Sequence, residues 1–133
     1  MVTREDLESF LIRMDLEYEE IEEGMYLVRG ADSELPVVVH CAESLVLIRM
    51  KVMDLPELAS GGLQLYRRLL EPNATDVVHG AYGIEEGELI LSDTLELETL
   101  DFLEIQASID SMEMAASGHM EQLKALAGAG AEG

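Results

Sequence analysis

The sequence has little cysteine, little proline and few aromatic side chains. Its 133 residues include one cysteine, three prolines and no tryptophan, and aromatic residues make up 5%. The single cysteine, Cys41, excludes an internal disulfide and is typical of a reducing compartment. Hydrophobic residues reach 48%, which is too many for a disordered chain, so aliphatic side chains and methionine must fill the core. The length fits one domain with a core of its own.

Basic side chains are also scarce. Eight Lys and Arg residues stand against 28 Asp and Glu, which gives a formal net charge of −20. Nucleic acids and anionic membranes are bound through lysine and arginine, which neutralise phosphate, so this composition argues against both as partners. Basic or hydrophobic polypeptides are compatible with it.

Targeting and membrane-spanning segments are absent from the sequence pattern. The first residues, MVTREDLESF, are acidic and lack the basic start and apolar run of a signal peptide. No stretch approaches the roughly 18 consecutive apolar residues of a membrane span. We therefore expect a cytoplasmic protein.

Motifs for catalysis or for metal binding are missing as well. The three histidines, His40, His79 and His119, stand singly in different segments, and no H-x-x-x-H or C-x-x-C spacing occurs. His40 and Cys41 are neighbours on a predicted strand, where successive side chains point to opposite faces, so they are a poor catalytic dyad. The sequence therefore predicts no enzyme, no cofactor and no metal site.

The first half of the chain predicts a helix followed by strands. Thr3 can cap a helix whose apolar residues recur at i, i+3, i+4 and i+7, namely Leu7, Phe10, Leu11 and Met14. The segment from Leu16 to Arg29 predicts a hairpin that turns at Glu23-Gly24. Two apolar runs follow, Val37–Cys41 and Leu45–Val52, and both predict strands.

The second half predicts another hairpin and a long helix. Strands are expected at Val77–Gly83 and Glu88–Ser92, with Gly87 providing the turn between them. The last helix is expected to start near Thr99. Its apolar seam is Phe102, Ile105, Ile109, Met112, Ala116, Met120 and Leu123. Residues 128–133 carry no side chain worth burying, so we predict a single domain over residues 1–127 and a flexible Gly/Ala tail.

The segment between these halves, Glu57–Glu71, has two apolar stripes where a surface helix needs one. Read at helical period, the first stripe is Leu58, Gly62, Leu65 and Leu69, and the second, roughly 100° further round, is Leu63, Tyr66 and Leu70. One stripe can cover a sheet of the same chain. The other then needs a different partner, for which a second copy of the chain is the simplest candidate.

Four segments together are similar to a known family. They are an apolar helix at Leu63–Leu70, the run Gly80–Ile84, the turn and strand Gly87–Leu91, and an acidic lead into the last helix at Leu95–Leu103. In this order they resemble the type III secretion chaperone-like superfamily, which covers the CesT/Tir chaperones and the related YbjN domain. The resemblance implies an α+β fold of order α-β-β-β-α-β-β-α, in which helices pack against an antiparallel sheet.

The resemblance also implies partners. It implies a homodimer through the central helix, which agrees with an interface at Leu63, Tyr66 and Leu70, and it implies a non-enzymatic chaperone that holds an extended segment of a client protein over the first helix and the sheet. The matching client-binding candidates are Leu7, Leu11, Val37, Val39, Leu45 and Leu47, although alternation alone leaves open which face of the sheet is the core. A YbjN-type adaptor that binds a signalling or redox protein is the alternative, and a small-ligand binder or enzyme on the sheet face is a third.

Overall fold

The computed structural model describes residues 3–29, 35–55, 66–67, 70–71, 73 and 80–132, of which residues 126–132 are described by their backbone alone. The elements in chain order are α1 (Arg4–Arg13), β1 (Glu17–Glu22), β2 (Met25–Arg29), β3 (Val37–Ala42), β4 (Leu45–Asp54), β5 (Ala81–Glu85), β6 (Glu88–Glu96) and α2 (Phe102–Glu132). Residues 66, 67, 70, 71 and 73, between β4 and β5, are helical; we call them the central helical segment.

The six strands form one antiparallel sheet in the order β1-β2-β3-β4-β6-β5. This confirms the predicted α+β class and the order of its helices and strands. Four strands precede the central helical segment, one more than in the predicted order α-β-β-β-α-β-β-α. The reason is that the two arms of the predicted hairpin at Leu16–Arg29 are separate strands. Both predicted hairpin glycines, Gly24 and Gly87, have the positive φ (77° and 79°) that these tight turns require.

Thr3 caps α1, as the sequence predicts, and forms a capping box with Asp6. The Thr3 hydroxyl accepts a hydrogen bond from the Asp6 backbone N–H (3.3 Å), and the Asp6 carboxylate accepts one from the Thr3 N–H (2.8 Å). The second of these bonds holds the pKa of Asp6 below its ordinary value. The helix then places Leu7 and Leu11, one turn apart, in the core.

Only one face of the sheet is buried. Along β4, Val46, Ile48 and Met50 are fully buried, while Leu45 and Leu47, at the alternate positions, are partly exposed. The antiparallel register carries this alternation to the neighbouring strands. Both helices contribute to the same buried cluster. Their fully or nearly fully buried members are Leu7, Leu11, Ile105, Ile109, Met112, Ala116 and Leu123. Five of the seven predicted seam positions of α2 are therefore core.

The ends of α2 differ from the prediction. Asp101 caps it, since its carboxylate accepts a hydrogen bond from the Glu104 N–H at 2.7 Å, so the helix begins two residues later than expected from Thr99. The helix also passes through Gly118 and continues to Glu132, across most of the predicted flexible tail. Alanine has the highest helix propensity and alternates with glycine here, so intrahelical hydrogen bonds can extend the helix without side-chain packing.

A tyrosine hydroxyl lies in the core on β2. Tyr26 is fully buried on β2, and its hydroxyl makes no hydrogen bond of normal geometry to the described residues. Burial, with a smaller contribution from the nearby Glu20 carboxylate, raises the pKa of Tyr26 to about 12. The ring packs edge-on against Tyr18, with centroids 6.1 Å apart. The ring therefore supplies the packing, while the hydroxyl is a buried polar group.

We expect Tyr26→Phe to keep or slightly raise the free energy of unfolding at pH 7, by up to about 1 kcal/mol, because it removes an unpaired buried hydroxyl. The folded-state pKa lies above the ordinary value of 10, so stability should be complete below pH 10 and fall as the pH rises towards about 12. Urea titrations of both proteins from pH 7 to 11.5 test this. An equally steep loss in the phenylalanine variant contradicts the assignment.

Candidate protein-binding surfaces

The sheet presents an apolar patch on the face opposite the helices. Its members are partly exposed and lie on the three adjacent strands β2, β3 and β4. They are Met25, Leu27, Val38, Leu45 and Leu47, which we call the outer patch. Cross-strand pairing holds them together, since Leu27 lies opposite Val38 and Leu47 opposite His40. Neither α1 nor α2 covers this face.

A depression of about 240 Å³ lies within the outer patch. Met25, Val38 and Leu47 form its apolar wall, and His40 and Arg49 complete its lining. The Arg49 guanidinium donates to both Glu85 carboxylate oxygens, at 2.7 and 3.0 Å, and both side chains are about half exposed. Such exposed pairs contribute little to stability. The depression can therefore hold an apolar side chain beside a polar rim.

Lys51 lies further along β4 on the same face. Its ammonium is 3.0 Å from Asp54 and 3.6 Å from Glu88. The hydrogen bond to Asp54 is the main reason why the pKa of Lys51 lies above its ordinary value. Lys51 therefore stays charged and balances two of the many carboxylates at this end of the sheet.

Four of the six predicted client-binding residues lie in the core and not in the outer patch. Leu7, Leu11, Val37 and Val39 are 0% exposed in the core and cannot touch a partner in this conformation. The physical reason is the two-residue period of β3, which turns Val37 and Val39 towards the helices. The other two, Leu45 and Leu47, do lie in the outer patch.

The sequence prediction missed three residues of the outer patch, Met25, Leu27 and Val38. Each alternates with a buried neighbour, so the pattern contained the signal. The pattern does not show which alternating set faces the core, because both sets are apolar on β2 and β3. Knowing which face the helices cover is what separates the two sets.

The predicted dimer surface is described in part. Tyr66 and Leu70, four residues apart and therefore on one face of the central helical segment, are 45% and 66% exposed in the single chain. Leu63, the third predicted member, lies outside the described residues. Two large apolar side chains exposed one turn apart are what an unpaired interface helix would present, and the homodimer stays a prediction.

Cys41 and His40, neighbours on β3, lie on opposite faces of the sheet. Cys41 faces the core and burial raises its thiol pKa, which disfavours the reactive thiolate. His40 lines the depression on the opposite face, so the two neighbours do point apart. Across the described residues, no three metal-binding side chains lie together.

Three polar contacts join α2 to the last hairpin. The Tyr82 hydroxyl lies 2.7 Å from His119 Nδ1 and donates to the Ala115 carbonyl at 3.3 Å. The buried Ser108 hydroxyl donates to Asp93 at 2.7 Å. These bonds fix the helix on β5 and β6.

None of the helices in the described part of the chain is long and apolar enough to cross a membrane.

The sequence matches a family model. The model of the CesT_Tir_1 family covers residues 2–129, which is nearly the whole chain. No curated protein sequence matches the chain. The family match confirms the resemblance reached from the four segments between Leu63 and Leu103.

Solved structures share the fold. A chain of the heterodimeric ExoU–SpcU complex from the type III secretion system of Pseudomonas aeruginosa aligns with a TM-score of 0.69 at 15% identity, over 85% of this chain and 93% of that one. The complex of the Yersinia pestis type III secretion chaperone SycH with a fragment of YscM2 gives 0.63 at 20% identity, over 87% and 98%. YbjN from E. coli gives 0.64 at 12% identity, over 92% and 96%. At these identities the likeness concerns the fold.

The corrected positions can be tested by truncation. We expect Leu11→Ala to lower the free energy of unfolding by about 2–5 kcal/mol because it leaves a cavity in the core. Leu47→Ala should cost about 1 kcal/mol or less because its side chain is already partly in water. Chemical denaturation followed by circular dichroism measures both, and equal losses would contradict the assignment of faces.

Proposed function

Because this chain belongs to the CesT_Tir_1 family, we propose that it is a non-enzymatic protein-binding module, a chaperone-like homodimer that holds an extended segment of a client protein in the cytoplasm. Solved structures of the same fold support this proposal, since they include SpcU with ExoU and SycH with a fragment of YscM2. The proposal for this chain is the same kind of complex with a client of its own.

The outer patch is the observation that carries the proposal. A chain of this size buries its apolar side chains where it can, and here α1 and α2 cover one face of the sheet while five aliphatic side chains stay in partial contact with water on the other. Contiguous exposed apolar surface of this kind marks interaction sites in soluble proteins. An apolar anchor of the client would enter the depression beside Leu47, and its neighbours would cover Leu27 and Leu45.

The negative charge of the chain favours a client segment with basic residues. The formal net charge is −20, so a client with basic residues flanking its apolar anchors is attracted over long range and finds carboxylates around the patch. Glu85 and Glu88 already surround Arg49 and Lys51 on the same face. We therefore expect alternating apolar and basic residues in the bound segment.

The homodimer would form through the second stripe of the central helix, which includes Leu63. Burying Tyr66 and Leu70 against a second copy removes two exposed large apolar side chains from water. A twofold arrangement would place the same stripe of each copy against the other.

A regulatory adaptor is the second candidate, favoured by the structural likeness to YbjN. It would use the same outer patch and the same dimer, and would differ only in binding a signalling or redox protein instead of a secreted one. The identity of the bound partner separates the two candidates.

We expect Leu47→Glu to lower capture of the client from a lysate of the source cells at least about tenfold. Tenfold needs only about 1.4 kcal/mol, and an unpaired carboxylate buried in the complex costs more. Quantitative mass spectrometry of material captured on the tagged proteins measures the loss. The matched control is Leu103→Glu, the same substitution at a 70% exposed position on α2, which lies on the helix side.

A partner captured equally by wild type and by Leu47→Glu would count against the outer patch. A partner lost in both variants would point to general destabilisation instead of the patch. If a single partner is lost in Leu47→Glu alone, its identity decides between a secreted client and a signalling or redox protein.

We expect Leu70→Glu to convert the homodimer into a folded monomer, because two opposed carboxylates would replace an apolar contact. Multi-angle light scattering at micromolar concentration gives the mass, and circular dichroism checks the fold. Met114→Glu, at a 75% exposed position on α2, is the control and should stay dimeric. A Leu70→Glu variant that stays dimeric would contradict the proposed interface.

A further inference from the structure

The strand β5 forms one edge of the sheet, and its free side is occupied by a side chain from the central helical segment. Tyr82 pairs with Leu91 on β6. In an antiparallel pair, every second residue turns its backbone N–H and C=O away from the partner strand. The Tyr82 N–H donates to Asn73 Oδ1 at 2.7 Å, and the Tyr82 carbonyl accepts from Asn73 Nδ2 at 3.3 Å. Both backbone groups of Tyr82 therefore point outward and both are bonded by Asn73.

This arrangement copies one rung of a β-ladder. A residue of an added seventh strand would offer Tyr82 one acceptor and one donor, and the asparagine amide offers the same two groups. The target is held in place, because the Tyr82 ring is fixed on α2 through His119 and the Ala115 carbonyl. The amide and the backbone it binds are thus both positioned before any partner strand could approach.

We propose that Asn73 closes the β5 edge against strand pairing with a second copy of this chain. β5 has five residues, Ala81–Glu85, and the alternation leaves only Tyr82 and Ile84 with outward-facing backbone groups. With Tyr82 occupied, an incoming strand can bond only at Ile84, which is too little to hold it. Unprotected edges are templates for aggregation, and proteins close them with specific devices. Closure of this edge would leave the helix stripe as the route of self-association.

The first test uses the wild-type protein. Hydrogen exchange of backbone amides by NMR should find the Tyr82 amide at least about tenfold slower than the Ile84 amide, although both face outward, because among the described residues only the Tyr82 amide has a hydrogen-bond partner on that side. Equal exchange at the two amides, or slow exchange at both, would overturn the proposal.

The second test opens the edge. We expect Asn73→Ala to form species larger than the wild-type oligomer as concentration rises in light scattering, with the Tyr82 amide exchanging at least about tenfold faster. Adding Ile84→Lys to that variant should restore the wild-type mass, because an edge lysine opposes strand pairing. Arg67→Ala, an exposed change in the same helical segment, is the control and should behave as wild type.

Three results would overturn the proposal. One is a wild-type mass for Asn73→Ala at every concentration, and another is larger species that Ile84→Lys does not suppress. The third is the same larger species in Arg67→Ala. The proposal does not depend on client binding, so its failure leaves the proposed function untouched, and loss of client capture leaves the edge closure untouched.

Discussion

Burial of one face of the sheet beneath α1 and α2 is the constraint on which the positions of the other side chains depend. The register of the six antiparallel strands puts paired residues of neighbouring strands on the same face. On β4, Val46, Ile48 and Met50 therefore face the core. Leu45 and Leu47 face outward. A shift of one residue would exchange the two sets. The hydrophobic core and the outer patch are therefore two results of the same register.

The surface proposed for client binding and the edge proposed to be closed against strand pairing lie in different parts of the fold. The outer patch occupies β2, β3 and β4, whereas Asn73 reaches β5, which is separated from them by β6. A client on the patch would thus leave the β5 edge unaltered. The net negative charge attracts basic segments of a client and opposes association of copies beyond the proposed homodimer.

Polar groups inside the fold act as ties. Ser108 is fully buried, yet its hydroxyl reaches Asp93, and Tyr82 reaches His119 and the Ala115 carbonyl. Each contact joins α2 to the last hairpin, so these side chains hold the helix at a fixed position over β5 and β6. Tyr26 differs, since its buried hydroxyl makes no comparable bond to the described residues.

The amino-acid sequence by itself determined the fold class, the capping box at Thr3, the turns at Gly24 and Gly87 and most of the α2 seam, because each follows from local periodicity or local backbone geometry. The tertiary structure alone decided which face of the sheet became core. β3 is apolar at positions of both parities, so Val37 and Val38 look equivalent until the helices cover one side. The bond from Asn73 to Tyr82 also depended on tertiary structure, because it joins residues of different elements through backbone groups that no residue pattern identifies.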